Sequence, residues 1–480
     1  MPSEQRLWTP RVWLADGWYD RVLLTIGANG HWSGVTPGVA PPVDATLLAG
    51  PALPGVVNGH SHAFQRAFAG LAERSENMVD IAPDNFWSWR DRMYRVALRI
   101  TPEQLRAIAA QLYIELLQGG YTQVCEFHYL QHDPQGTPYA DPLHLSWALA
   151  DAAMLTGLGL TMLPVLYERA GFNHKTLRAD QRRFTTTPTT VWAAREAMHR
   201  SGRPLLNAGI AIHSMRAAAP ASIATLSNLA SGMDDGPIHI HVSEQIQEVD
   251  ECIGALGVRP IEWLAREGML DARWQLVHAT HTVPSEIEAV ARKGAGAVIC
   301  PSTEANLGDG LCDLPRWLVS GTPMSIGSDS HVTRDWREEM RLLEYGQRLV
   351  KQQRNIGASP QTGQPSTAER LWARLQSGGA AAAGFKQWGL AVGARADLLV
   401  MDNHDANLIG VSDAHILDAF VFSSPGSPWR DVMVAGNWVV RSHHHARARE
   451  IAGRFEEAMN SLWSEGSFSE VGNVGDSDPA

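Results

Sequence analysis

At 480 residues with 44% hydrophobic content, the chain can bury a large core and has room for one big domain and a small one. Its net charge of −11, from 51 acidic against 40 basic residues, argues against a general nucleic-acid or anionic-membrane surface, and no run approaches the roughly 20 apolar residues of a membrane helix. The first twenty residues lack the apolar stretch of a signal peptide, and Cys125, Cys252, Cys300 and Cys312 are widely spaced without a C-x-x-C, so reduced thiols and a cytoplasmic location are expected.

In chain order, residues 1–52 carry short strand-like runs such as RVLLTI. Apolar runs of strand length then appear eight times, most of them separated by helix-length segments, and each ends in a polar or ionisable cluster. They are 53–62 (LPGVVNGHSH), 122–129 (TQVCEFHY), 160–167 (LTMLPVLY), 208–213 (AGIAIH), 237–244 (PIHIHVSE), 274–281 (WQLVHATH), 295–303 (AGAVICPST) and 323–329 (PMSIGSD). Thr101-Pro102-Glu103-Gln104 offers an N-cap, a first-turn proline and a capping-box glutamine. Leu105, Ile108, Leu112 and Leu116 follow at helical spacing, and Gly119-Gly120 supplies the stop. Eight such strands alternating with helices predict an α/β fold, a (β/α)8 TIM-like barrel over 53–387. Strand-like runs return over 388–445 (ADLLVMD, DVMVAGNWVV), so the flanks 1–52 and 388–445 predict one small β-sandwich. A C-terminal helix over 446–463 and a disordered Gly, Ser, Asp and Glu-rich tail over 464–480 complete the reading.

The polar residues gather at the carboxyl ends of the eight runs, the face on which barrel active sites are built. His60 and His62 lie two apart, so on a strand both side chains point to one face; alone, an H-x-H pair is more often structural. The fifth run ends in His239-Ile240-His241-Val242-Ser243-Glu244, the sixth contains His278 and His281, and the eighth ends at Asp329. Three histidines and an aspartate from different strands make a mixed N/O set typical of catalytic zinc, with a position open for water. No lysine stands at a strand end to form a carbamylated bridge between two metals, and the fourth run ends in His213, so a single metal is expected. Only four lysines occur, leaving nearly all positive charge to arginine, the side chain suited to carboxylates. Trp87 and Trp89 read as core or loop packing, Met162, Leu163 and Val165 as barrel filling, and His443-His444-His445 as a solvated turn. Ser302, Thr303, Glu304 and Asn306 either line the pocket or cap the helix after the seventh strand.

PGVVNGHSH in the first run, GSDSH in the last, and the flanking VGARADLLVMD and VMVAGNWVV resemble the amidohydrolase superfamily over nearly the whole chain. HSHAFQRAFAGLAE, FWSWRDRMYR, EFHYLQHD, HSMR, HIHVSEQ, LVHATH and STEANLGDG are similar to the branch that releases ammonia from N-formimidoyl-L-glutamate in histidine degradation. The resemblance implies one divalent ion per subunit, zinc, held by His60, His62, His241 and Asp329. It places Glu244 and His278 beside the attacking water, with Asp329 accepting the water's proton. Gln65, Arg90, Tyr129, His213 and Arg216 fall on the two carboxylates of a small dicarboxylate substrate, and a homodimer is implied. The alternatives are a relative acting on a ring amidine such as guanine or a pterin, which has no need of two arginine clamps, and a non-catalytic barrel, which is expected to have lost metal ligands.

Overall fold

The computed structural model describes residues 4–15, 17–74, 84–232, 236–423 and 429–464. Eight parallel strands stand side by side in chain order: Val56–Ser61, Tyr121–His128, Gly159–Leu166, Ile210–Ser214, Ile238–Val242, Trp274–His278, Gly296–Ile299 and Met324–Ile326. The first and last strands meet through a parallel bridge between Ser61 and Asp329, where His62 N donates to Asp329 O at 3.2 Å and Asp329 N to His60 O at 3.1 Å. Two glycines make that closure possible. A Cβ on Gly59 would stand 2.6 Å from Ser325 Oγ, and one on Gly327 would stand 2.6 Å from the Cβ of His60. The second and third strands are buried at every position, as expected for parallel strands covered on both faces.

The run 53–62, read as one strand, is divided. Ala52–Pro54 joins the flanking sheet and Val56–Ser61 the barrel. Between them Gly55 packs against Thr122, whose Oγ1 would lie 2.1 Å from an added Cβ. Both halves are buried, so hydrophobicity alone carries no mark of the break.

The helix Pro102–Gln118 has the caps its sequence calls for. Thr101 Oγ1 accepts from Gln104 N at 3.2 Å and Gln104 Oε1 from Thr101 N at 3.0 Å. Its Leu105, Ile108, Leu112 and Leu116 are all buried. The helix Ala448–Trp463 lies against it, and Trp463 Nε1 donates to Ala67 O at 3.2 Å.

The flanks form one mixed sheet. Its order is His444–His445, Asn437–Arg441, Trp429–Val434, Leu398–Met401, Ala52–Pro54, Gln5–Leu14, Gly17–Ile26 and Trp32–Thr36, with Thr46–Leu47 also paired to Gln5–Leu14. Ala52–Pro54 is the seam, antiparallel to Leu398–Met401 and parallel to Gln5–Leu14. Leu7, Val12, Val22, Leu24, Trp32, Leu398, Val400 and Met433 build a core of its own beneath it. Of the histidine triplet, His443 pairs with Asp402 at 3.1 Å, His444 is exposed and His445 is buried with Nε2 on Thr156 O at 3.0 Å. The four cysteines are free and buried. Among the described residues no helix is long and apolar enough to cross a membrane. From position 465 onward the tail expected to be disordered lies outside the described residues.

Candidate metal centre and active site

Three imidazole nitrogens converge at the barrel mouth. His60 Nε2 lies 3.2 Å from His62 Nε2 and 3.0 Å from His241 Nε2. Asp329 Oδ1 stands 3.5 Å from His60 Nε2 and 3.4 Å from His62 Nε2. The opposite ring nitrogens explain the aim. His62 Nδ1 donates to Phe127 O and His241 Nδ1 to His213 O, each at 2.9 Å, which fixes the tautomer and leaves the Nε2 lone pair pointing inward. His60 is set by its neighbours instead, its ring edge-on to those of His62, Phe127 and His241 at 4.6, 5.1 and 4.8 Å.

The protonation states suit a cation. Burial drives the His60 ring down to about 3 and depresses those of His62 and His241. Burial opposes ionisation of Asp329, but its hydrogen bond to His60 and the nearby charge of His278 hold the carboxyl well below the usual range. Neutral imidazoles beside a carboxylate are what a divalent ion of the zinc type requires, so the donor set fits such an ion.

The backbone here is bent sharply. Ser243, His278, Ala279, Asp329 and His331 all have left-handed φ angles, between 43° and 68°, a conformation that disfavours non-glycine residues by about 1 kcal/mol or more each. Buried polar groups hold these turns. Glu248 accepts the N–H groups of Ser243 and Glu244, each at 3.2 Å. Asn58 accepts from Ser328 N at 3.0 Å and donates to Ser328 Oγ at 2.7 Å.

Beside the three nitrogens stands His278, its Nε2 3.6 Å from Glu244 Oε1 and 3.7 Å from Asp329 Oδ2, its Nδ1 3.3 Å from Glu304 Oε1. Burial opposes a charged ring, yet Glu244, Glu304 and Asp329 outweigh it and push His278 up to about 10. Burial pushes the Glu244 carboxyl up to about 7, with His278 and Arg216 pulling it back. A carboxyl poised near neutrality can both take and deliver a proton.

One pocket is lined by Gln65, Arg90, Tyr129, His213 and Arg216 together with His62, His241, Glu244, His278 and Asp329; His60 lies fully buried behind them. The residues that the family resemblance singled out therefore lie together, whereas two other strand-end histidines turn away, His239 Nε2 donating to Ala382 O and His281 Nε2 to Asp309 O, each at 2.8 Å. Arg216 is buried, with Nη2 3.6 Å from Glu244 Oε2 and Nε 4.0 Å from Glu248 Oε2. Arg90 stands on the helix Phe86–Ala97, capped by Asn85, and its ion-pair partner is the half-exposed Asp91 at 3.6 Å. Trp87 departs from the expectation of plain packing. Its ring lies 4.5 Å from Arg90 Cζ and 5.3 Å from Arg216 Cζ, because a helix sets 87 and 90 on one face and the fourth strand delivers Arg216 to the same indole.

The structure adds residues that sequence reasoning missed. Tyr94 and Tyr167 line the pocket, and signals for both existed: Tyr94 is one helical turn after Arg90, and Tyr167 ends the third run. Glu248 and Gln181 carry no local signal. On the helix Pro301–Leu307 after the seventh strand, Thr303 lines the pocket, while Glu304 Oε1 both accepts from Cys300 N at 2.8 Å and holds His278, so both roles weighed for this segment occur. Ser302 Oγ donates to Glu339 at 2.7 Å and Asn306 to Glu73 at 2.8 Å.

A closed parallel barrel with a histidine and aspartate set at its mouth defines a class, and residues 52–439 match the amidohydrolase family: the chain belongs to that family. A crystal structure of an amidohydrolase from Brucella melitensis superposes with a TM-score of 0.89 at 38% identity, covering 95% of this chain and 99% of that one. In sequence the chain is 45% identical to formimidoylglutamate deiminase of Pseudomonas aeruginosa over 95% of its own length and 99% of the relative's. It is 28% identical to 5-methylthioadenosine/S-adenosylhomocysteine deaminase of Natronomonas pharaonis, over 81% of each chain.

Proposed function

We propose that the chain hydrolyses N-formimidoyl-L-glutamate to N-formyl-L-glutamate and ammonia, a step in histidine degradation. The observation that carries this reading is the pairing, in one pocket, of a cation-ready donor set with two guanidinium groups. A dicarboxylate needs such partners when buried, and a ring amidine such as guanine has no use for them. Full-length similarity to a formimidoylglutamate deiminase supports it.

In this reading His60, His62, His241 and Asp329 hold one divalent ion, zinc by the character of its nitrogen and oxygen donors, and that ion when bound supplies Lewis-acid activation of water. Asp329 Oδ2 accepts the proton as water adds to the formimidoyl carbon. His278, paired with Glu304 and Asp329, faces the negative charge that develops there. Glu244 passes a proton to the terminal nitrogen as water adds, Asp329 hands that nitrogen the proton it took from the water, and as the C–N bond breaks and ammonia leaves, the new hydroxyl returns its proton to Glu244 and becomes the formyl oxygen. Arg90 and Arg216, with Gln65, Tyr129 and His213, bind the two carboxylates and orient the amidine toward Asp329 and Glu244. Four buried free thiols fit a reducing, cytoplasmic setting, and the family resemblance favours a homodimer, which light scattering would report.

Ammonia release from N-formimidoyl-L-glutamate and from guanine is the deciding assay, run on the zinc-loaded protein and again after chelation. We expect turnover of the first substrate only, lost with the metal and restored by zinc. Turnover of guanine with none of formimidoylglutamate would overturn the reading.

A further inference from the structure

Beyond the two arginines, the pocket carries a small polar device that the reaction leaves unexplained. Tyr94 and Tyr167 both line it, both are buried, and their hydroxyl oxygens lie 3.0 Å apart. Gln181, also buried, reaches both, with Nε2 3.3 Å from Tyr94 Oη and 3.0 Å from Tyr167 Oη. The orientation of its amide follows from its other end, because Gln181 Oε1 accepts the backbone N–H of Arg178 at 3.0 Å. Nε2 must therefore face the phenols and donate one hydrogen to each.

Hydrogens can then be counted. Each phenolic oxygen accepts one bond from Gln181, and the bond between the two phenols uses one of their two hydroxyl hydrogens. One O–H is left without an acceptor among the described residues, in the wall of the pocket. A donor in a pocket wall favours a ligand that brings an acceptor to it.

Position indicates which hydroxyl is free. Tyr167 follows the third barrel strand, its ring 4.3 Å from that of His213, and it feels both the Arg90 and the Arg216 charges. Tyr94 stands on the helix of Arg90, its ring 5.5 Å from Arg90 Cζ, and both tyrosine rings pack on that of Phe184, at 5.3 and 5.4 Å. Resting on the dicarboxylate reading above, we infer that Tyr94 and Gln181 orient the Tyr167 hydroxyl to donate to a substrate carboxylate, making Tyr167 a further, specificity-determining anchor beside Arg90 and Arg216. A neutral donor adds direction without adding charge, so the subsite rewards an oxygen acceptor placed between the two guanidiniums and penalises a methyl group in its place.

The test uses the zinc-loaded protein and calorimetric binding of three stable probes. These are N-formyl-L-glutamate, N-formyl-L-norvaline, which lacks the side-chain carboxylate, and 4-(formylamino)butyrate, which lacks the α-carboxylate. In Tyr167→Phe the preference for N-formyl-L-glutamate over one of the two analogues should fall roughly tenfold or more, the range for a hydrogen bond to a charged group. Tyr94→Phe keeps the donor and loses only its orientation, so its preference should fall no more than about threefold, whereas a purely structural role moves both variants alike. Melting temperature and metal content report that each variant is folded. If neither ratio changes in Tyr167→Phe, or if both tyrosine variants lose the preference equally, the inference is wrong. Wild-type ammonia release from N-formimidoyl-L-glutamate, measured alongside, separates that outcome from failure of the proposed function itself.

Discussion

Around His60, His62, His241 and Asp329, each side chain stands at the end of a barrel strand, and two of the three imidazoles are tied to backbone carbonyls of neighbouring strands. At the far end of the pocket Arg90 and Tyr94 ride on the helix Phe86–Ala97, outside the strand wall, and are positioned by aromatic faces and by one another. The two ends also differ in charge. The first gathers carboxylates about His278, and the second gathers guanidiniums about Trp87. A closed ladder can hold reacting groups to within a fraction of an ångström, whereas a helix laid over the mouth can change its cargo without disturbing them. In the proposed function, chemistry and substrate choice would thus reside on separable parts of one fold.

Variants at the two ends should fail differently. The largest effect is expected for Asp329→Asn, which removes both a proposed ligand and the proton acceptor. Turnover should fall by roughly 10²- to 10⁴-fold or more, with bound metal reduced in elemental analysis; near-normal kcat would break the contrast at its root. Arg216→Met should lower kcat/KM for N-formimidoyl-L-glutamate by roughly 30- to 1000-fold, the cost of truncating one member of a buried charge pair, while metal content stays at the wild-type level. Loss of metal in that variant would mean that the two ends are not separable.

Glu248→Gln bridges the regions, since Glu248 holds the backbone at Ser243 and Glu244 and also faces Arg216. An amide nitrogen turned toward either N–H leaves it unsatisfied, so kcat should fall about tenfold and the melting temperature with it, at about 1–3 kcal/mol. Unchanged kcat with a lowered melting temperature would reduce Glu248 to a purely structural role. The smallest effect belongs to Trp87→Leu. It removes the shared face beneath two guanidiniums and should raise KM about two- to tenfold with kcat intact. An unchanged KM would return Trp87 to ordinary packing.

Several of these features were legible along the chain. The helix Pro102–Gln118 was, down to its capping box, because capping is decided within four residues. So were the strand ends that bear His60, His62, His241, Glu244, His278 and Asp329, since a strand's period of two and a barrel's carboxyl face leave few alternatives. The division of 53–62 was not, because burial makes both halves equally apolar and the two pair with strands of different sheets, far away in the chain. Nor was the role of Trp87, whose second guanidinium partner lies far away in the chain.

The sequence by itself therefore determined most of the barrel strands and the caps of the helix Pro102–Gln118, and which residue types reach the barrel mouth, since periodicity and capping act over a few residues. Only the tertiary structure decided which groups meet there. Glu304 reaches His278 across 26 residues, Tyr94 reaches Tyr167 across 73, and His241 reaches His60 across 181. Those meetings depend on closure of the barrel, where Gly59 and Gly327 let the first and last strands approach, and no local pattern encodes the distance between residues that closure brings together.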